Sequence, residues 1–131
     1  MCLTTSKPIA TKINEDIRSY KLLIKRNGEL ISPFQCFKYE LGKEYVSELD
    51  QYTTSVEYGF HTNKYFGMNP ADIKTLKKYT FEENDELVIA SCIIPKNSNV
   101  IFGDWKEFIN EEQYTGFASD KLIIDKILKT L

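Results

Sequence analysis

The run from Leu87 to Ile94 is the feature that most constrains the fold of this chain. It reads Leu-Val-Ile-Ala-Ser-Cys-Ile-Ile, so both alternating sets of side chains are largely apolar. Successive side chains of a strand point to opposite faces of a sheet, and a strand that is apolar on both sides is typically covered on both sides. We therefore expect 87–94 to be a buried strand at the centre of a sheet.

A β-hairpin is predicted around Asn27-Gly28. The alternation over 20–25 predicts a half-buried strand, with Tyr20 in the more apolar set and Lys21 in the other. Both central residues of a type I′ turn need φ > 0, and Asn-Gly is the dipeptide that adopts this conformation most readily. The return strand begins at 30–31 and ends before Pro33, because proline cannot donate to a β-ladder.

Short strands are also predicted at 44–47, 55–62 and 100–102. The C-terminal run 121–128 leaves two alternatives open. Its isoleucines favour a strand, whereas Ile124, Leu128 and Leu131 recur at helical spacing. We predict a strand over 121–126.

Two helices are predicted. Asn69 caps the first, Pro70 occupies its first position, and Asp72 lies near the positive end of the dipole, so this helix is placed at 70–79. Asp104, followed by Glu107 three residues later, predicts a shorter helix at about 104–110.

These elements together predict an α+β fold with a mainly antiparallel sheet. At 131 residues the chain is expected to form one domain over 17–131, preceded by an irregular N-terminal arm over 1–16. Apolar residues make up 42% and charged residues 27%, which argues against disorder.

Charge and cysteine content narrow the function classes. A net charge of −2 gives no cationic field, so nucleic-acid binding is not expected. The three cysteines share no short spacing, which argues against a disulfide framework and a zinc site. The N-terminus does not resemble a signal peptide, and no apolar run reaches the roughly 20 residues of a membrane span. We expect a reduced, cytoplasmic protein.

The stretch 55–62 holds the only histidine, His61. Read as one strand, it places Val56, Tyr58 and Phe60 on one face and Glu57, Gly59 and His61 on the other. His61 and Glu57 are the candidate catalytic residues, since an imidazole can act as a general base. They are four positions apart on an extended chain, or roughly 13 Å, so they do not form a direct pair.

Three residues are candidates for ligand binding: Gly59, Tyr39 and Lys43. Gly59 would let a ligand or a backbone approach closely, and Tyr39 and Lys43 flank a turn at Gly42 that can form a rim. Structural use is the simpler explanation for each of them. No pattern indicates a metal site or a cofactor.

Four segments carry a family resemblance: 37–45, 58–61, 94–96 and 118–121. With their Tyr-Glu-x-Gly-Lys and Gly-Phe-His motifs, they resemble an uncharacterised family of small proteins from bacteriophages, prophages and gut bacteria. The resemblance covers roughly residues 18–126. It implies no catalytic roles.

A more distant similarity, carried by Gly59-Phe60-His61-Thr62, is to the ADP-ribosyltransferase-like fold. It implies a cleft near His61 that binds a nicotinamide dinucleotide. The first predicted strand departs from that pattern, because it lacks the His or Arg such enzymes use. The likeness is one of fold only.

The function expected from the sequence is a non-enzymatic binding module of phage or mobile-element type, whose partner is a host or phage protein. The alternative is an ADP-ribosyltransferase-like enzyme, or a degenerate nucleotide binder, with its cleft beside His61.

Overall fold

A computed structural model describes residues 3–5, 8–33, 37–50, 54–66, 74, 78, 82–103 and 116–131. This part of the chain forms twelve strands. They are β1 (Leu3–Thr4), β2 (Thr11–Lys12), β3 (Ile17–Arg26), β4 (Glu29–Ile31), β5 (Lys38–Tyr39), β6 (Glu44–Val46), β7 (Ser55–Val56), β8 (Phe60–Asn63), β9 (Glu86–Ile94), β10 (Asn99–Gly103), β11 (Gly116–Ser119) and β12 (Lys121–Thr130).

Ten strands form one antiparallel sheet, and β1 pairs separately with β7. The main path runs β2-β10-β11-β8-β3-β9-β12-β6. The sheet branches at β3, which pairs with β8 at Tyr20 and with β4 at its last three residues. Strand β4 in turn pairs with β5. The long strand β9 lies between β3 and β12, as the apolar run 87–94 predicts.

The ends of the path β5-β4-β3-β9-β12-β6 come together, so these six strands curl into a ring. A short turn joins β5 to β6, and the N–H of Gly42 in this turn donates to the carbonyl of Ile124 on β12 (2.8 Å). The inner face of the curled sheet carries the main core. Its buried members are Leu23, Leu30, Tyr39, Phe60, Val88, Ala90, Cys92, Ile94, Val100, Phe117, Leu122 and Ile124.

The hairpin prediction is confirmed. Asn27 and Gly28 have φ of 52° and 80°, and β3 and β4 pair on either side of them. The C-terminal run is also a strand, and it continues to Thr130 with two register shifts against β9.

The predicted α+β fold is wrong. The described chain is almost entirely antiparallel β structure, and only the single residues Lys74 and Lys78 are helical. The helix predicted at 104–110 lies outside the described residues, as does the one predicted at 70–79 apart from those two lysines. Several short strands were not predicted, because a two-residue strand such as β5 has no periodicity and forms only where another strand pairs with it.

The single strand predicted at 55–62 is also wrong. The chain forms β7 and β8 with an interruption at 57–59, where Gly59 has φ of +103°. Because of the interruption, the three residues predicted to share one face do not share one environment. Val56 and Phe60 are buried, whereas Tyr58 is 58% exposed.

Two short strands, β1 and β2, lie in the stretch predicted to be an irregular arm. Leu3 on β1 is fully buried and packs with Val56, Ile101 and Ala118 in a second apolar cluster. Among the residues described, no helix has the length and apolar character needed to cross a lipid bilayer.

Candidate functional site

Four aromatic rings gather where β5 and β6 meet, and we call Phe37, Tyr39, Tyr45 and Phe60 the aromatic cluster. The ring centroid of Phe37 lies 4.9 Å from that of Tyr39, 5.5 Å from that of Tyr45 and 6.4 Å from that of Phe60. Tyr39 and Tyr45 meet edge to face at 5.2 Å, a geometry that aromatic pairs favour. Ring contacts thus join β5 to β6, which share no β-ladder in the described chain.

The aromatic cluster is buried on its inner side and open on its outer side. Tyr39 is only 7% exposed, whereas Phe37 is 41% exposed. Tyr45 is half-buried, and its hydroxyl accepts the N–H of Glu40 at 2.7 Å. The Nζ of Lys43 lies 5.3 Å from the centroid of the Tyr45 ring, within range of a cation–π contact. Two predicted ligand residues, Tyr39 and Lys43, therefore belong to one location.

Next to the aromatic cluster, β6 forms an edge of the sheet. It pairs with β12 on one side, and no described strand pairs with its other side. Val46 on this strand is 70% exposed, and Leu41 in the preceding turn is 53% exposed. We call Phe37, Leu41, Tyr45 and Val46 the edge patch.

A second group of polar residues lies on the inner face, deeper in the sheet. Ser19 and Lys21 are on β3, Thr62 is on β8 and Cys92 is on β9. Ser19 pairs directly with Cys92, and the pairing of Tyr20 with Asn63 brings Lys21 opposite Thr62. We call these four residues the inner polar set. None of them was predicted as a site residue.

Lys21 is held at the point where β3 and β8 separate. The two strands pair only at Tyr20, and the Nζ of Lys21 donates to the main-chain carbonyl of His61 at 2.8 Å. Burial lowers the pKa of Lys21, and the nearby Cys92 thiol opposes this change only in part. A buried ammonium without an acidic partner is costly, since water solvates it far better than a protein interior does.

Cys92, which lies near Lys21, and Tyr39, which lies near Cys92, both stay protonated at neutral pH. Burial raises the pKa of the Cys92 thiol to about 12, despite the opposing effect of Lys21. Burial also raises the pKa of the Tyr39 hydroxyl, and Cys92 adds to this effect. Because the thiolate is the nucleophilic form of cysteine, Cys92 is inert in this environment.

His61 lies on β8, with its ring on the face opposite the inner polar set, and it is partly buried. Burial, followed by the positive charge of Lys21, lowers the pKa of His61 to about 4. A hydrogen bond with the backbone of Tyr58 and the charge of Asp50 act in the opposite direction. The imidazole is therefore neutral at pH 7.

Glu57 and Gly59 serve the bend that precedes β8. The Glu57 side chain is exposed, and the N–H groups of Glu57 and Tyr58 donate to one carboxylate oxygen of Asp50 at 2.7 and 3.1 Å. A Cβ at Gly59 would lie 2.7 Å from Leu49 Cδ1 and 3.1 Å from a backbone oxygen. This lack of space for a Cβ and the positive φ of +103° explain why the residue is glycine.

The structure thus separates the predicted site residues into two groups. Tyr39 and Lys43 lie at the aromatic cluster, which also includes Phe60, the residue after Gly59. His61 alternates with Phe60 on β8 and therefore points away from this cluster, and Glu57 is exposed in the bend before β8. One feature of the sequence could have indicated Lys21. It is a basic residue two positions before Leu23, so both side chains lie on the same face of the strand, which is the core face.

No group of three or more His, Cys, Asp or Glu side chains in the described chain is arranged to hold a metal ion. Comparison of the chain with protein-family models, with curated proteins and with solved structures finds no match. The resemblances to a phage-associated family and to the ADP-ribosyltransferase-like fold therefore stay predictions.

Proposed function

We propose that this protein is a non-enzymatic binding module that captures an extended segment of a partner protein along the free edge of β6. The observation that carries the proposal is the edge patch, in which exposed apolar side chains flank an edge strand. An added strand gains affinity from main-chain hydrogen bonds and specificity from contacts with alternate side chains. On β6, Tyr45 and Val46 point to opposite faces and can contact both sets of partner side chains.

The other edges of the sheet differ from β6 in the properties that matter for strand addition. The opposite edge is β2, which has only two residues, and both are polar and exposed. The second half of β12 has the exposed lysines Lys126 and Lys129 and two register shifts, devices that protect an edge from pairing. Of these three described edge strands, β6 has the most exposed apolar side chain, that of Val46.

The edge patch favours a segment with an apolar or aromatic side chain at every second position. Phe37 and Tyr45 offer ring faces, and Tyr and Phe are typical of residues that dominate binding energy. Lys43 adds a cation above the Tyr45 ring. The phage-type resemblance favours a host- or phage-encoded protein as the source of the segment, and the free buried thiol of Cys92 agrees with a cytoplasmic location.

A displayed library of random peptides tests the proposal. Selection against the intact chain is expected to enrich peptides with alternating apolar positions. Calorimetry should show that Val46→Lys weakens the selected peptides by tenfold or more, equivalent to about 1.4 kcal/mol, because lysine on an edge opposes strand addition. Phe37→Ala should also weaken them.

The matched control is Ile9→Lys. Ile9 is a β-branched residue that is 63% exposed, close to the opposite edge of the sheet. This variant is expected to bind the selected peptides as the unmodified protein does. Equal loss of affinity in the Ile9 and Val46 variants, or no enrichment of peptides over a scrambled pool, would show that β6 is not a docking edge.

The nucleotide-binding alternative near His61 stays a prediction, and no contact in the described chain favours it over the edge patch. Calorimetric titration with nicotinamide dinucleotides tests it directly. Saturable heat that disappears in His61→Gln would replace the present proposal.

A further inference from the structure

Two hydroxyl groups of the inner polar set point to a further site. The side chains of Ser19 and Thr62 are fully buried, and neither hydroxyl has a hydrogen-bond partner among the described residues. Buried hydroxyls are nearly always hydrogen-bonded, because leaving one unpaired costs free energy. Two such groups in one place indicate a missing acceptor.

The strand register brings these hydroxyls and Lys21 to the same region of the inner face. Ser19 and Lys21 alternate on β3 and therefore share a face. The pair Tyr20–Asn63 aligns Lys21 with Thr62, which makes Ser19 a diagonal neighbour of Thr62. Diagonal neighbours across a sheet are roughly 7–8 Å apart, so a small ion between two hydroxyls that point toward each other can contact both.

Lys21 adds charge to this group. Its ammonium can donate three hydrogen bonds, and to the described residues it donates one, which the carbonyl of His61 accepts. No carboxylate forms an ion pair with it in the described chain, in contrast to Arg26, which has Asp85. Its acidic neighbour Cys92 is a protonated thiol and supplies no negative charge.

We propose that the inner polar set binds one small monovalent anion of the halide class, held by Lys21 Nζ, Ser19 Oγ and Thr62 Oγ1. An anion accepts from all three donors and also compensates the buried ammonium, whereas a water molecule satisfies the hydroxyls but supplies no charge. The site is separate from the edge patch, and it does not depend on the proposed peptide binding.

Thermal unfolding at constant ionic strength tests this site, with chloride exchanged stepwise for gluconate. A ligand that binds only the folded state stabilises it in proportion to the logarithm of its concentration. Between about 10 mM and about 1 M chloride, the Tm is expected to rise by about 3 °C or more. The ³⁵Cl NMR signal is expected to broaden in the presence of folded protein.

The variants Lys21→Met and Ser19→Ala/Thr62→Val should lose both effects. Lys126→Met is the matched control, because it removes the same charge from an exposed strand position and should keep both effects. If Lys21→Met does not fold, the double variant decides the question, since it leaves every charge in place. Superimposed curves in chloride and gluconate, or a chloride effect that persists in the double variant, would overturn the proposal.

Discussion

Arg26 and Lys21 are cations on the same strand, β3. Arg26 contacts a carboxylate, whereas Lys21 contacts a main-chain carbonyl. Arg26 forms a two-point contact with Asp85, with Nε–Oδ1 at 2.9 Å and Nη2–Oδ2 at 2.7 Å, and the Asp85 side chain is 1% exposed. Within the described part of the chain, the ammonium of Lys21 has one partner, the main-chain carbonyl of His61. Arg26 lowers the pKa of the Asp85 carboxyl group, whereas burial lowers the pKa of Lys21 itself.

The charges of Arg26 and Lys21 therefore contribute differently to the stability of the fold. A buried ion pair holds together the two segments that carry it, and removing one partner is costly because the other charge is left uncompensated. A cation that burial disfavours and that has no counter-charge destabilises the folded state at pH values below its pKa, including neutral pH, and a bound anion can compensate it. Arg26 is therefore a structural contact, and Lys21 is the better candidate for a binding role.

The largest expected effect is that of Asp85→Ala. It removes both hydrogen bonds to Arg26, whose side chain is 23% exposed, together with the acceptor for the Glu82 N–H. We expect a loss of about 3 kcal/mol in the free energy of unfolding, measured with urea at pH 7. Because the folded pKa of Asp85 is lowered, the contribution is present above about pH 4 and is lost as the pH falls through the folded value.

The second largest effect is the pH dependence of stability caused by His61, which lies beside Lys21. Its pKa of about 4 is below the ordinary value of 6.5, so the unfolded chain binds more protons in this interval. Stability should therefore be complete above pH 6.5 and fall by up to about 3 kcal/mol as the pH drops to 4. His61 is the only histidine, so a single imidazole NMR signal reports its pKa.

His61→Gln is the control for this interval. Other carboxyl groups also titrate near pH 4, and the variant retains all of them. The difference in unfolding free energy between the two proteins should therefore change with pH only through the imidazole. Parallel pH curves would mean that His61 titrates as it does in water.

Lys21→Met should have a smaller effect on stability, less than about 1 kcal/mol in chloride-free buffer at pH 7, because an apolar side chain of similar length replaces an uncompensated charge. The pKa of His61 should rise in this variant, since the Lys21 charge lowers it. The lowered pKa of Lys21 also means that the unmodified protein gains stability relative to the variant as the pH rises toward about 10.4. A loss as large as that of Asp85→Ala would contradict the comparison.

Asp125→Ala should have the smallest effect. Asp125 pairs with Arg18 at 2.8 Å, but the two side chains are 35% and 49% exposed. Exposed pairs contribute less than about 1 kcal/mol, and salt screens them further. Urea unfolding with and without added salt measures the change. The chemical groups are the same as in the Arg26–Asp85 pair, but the Arg18–Asp125 pair is more exposed and has one contact in place of two.

The sequence predicted those parts of the fold that depend on neighbouring residues. Asn27-Gly28 specified its own turn, since both residues accept positive φ. The apolar run 87–94 indicated a central strand, and β9 has that place between β3 and β12. The ambiguity at 121–128 was resolved by β9 and β6, which pair with β12 and satisfy its backbone as a strand.

The inner polar set was not predicted, because the alternation of residues along β3 did not show which face lies toward the core. This alternation separated Tyr20 from Lys21 but placed the core on the side of Tyr20. The structure buries apolar residues on both sides, Leu23 on one and Ile24 on the other, so Lys21 lies on the core face with Leu23. A period of two separates the faces of a strand, but it does not say which face is inside when both contain apolar residues.

By itself, the sequence determined local conformations: the hairpin turn at Asn27-Gly28 and the strand character of the long apolar runs. Only the tertiary structure decided that β5 and β6 meet through aromatic rings, and that Ser19, Lys21 and Thr62 share one face. Turns follow from the φ and ψ preferences of adjacent residues. Contacts between distant strands depend on register and sheet curvature, which no single segment encodes.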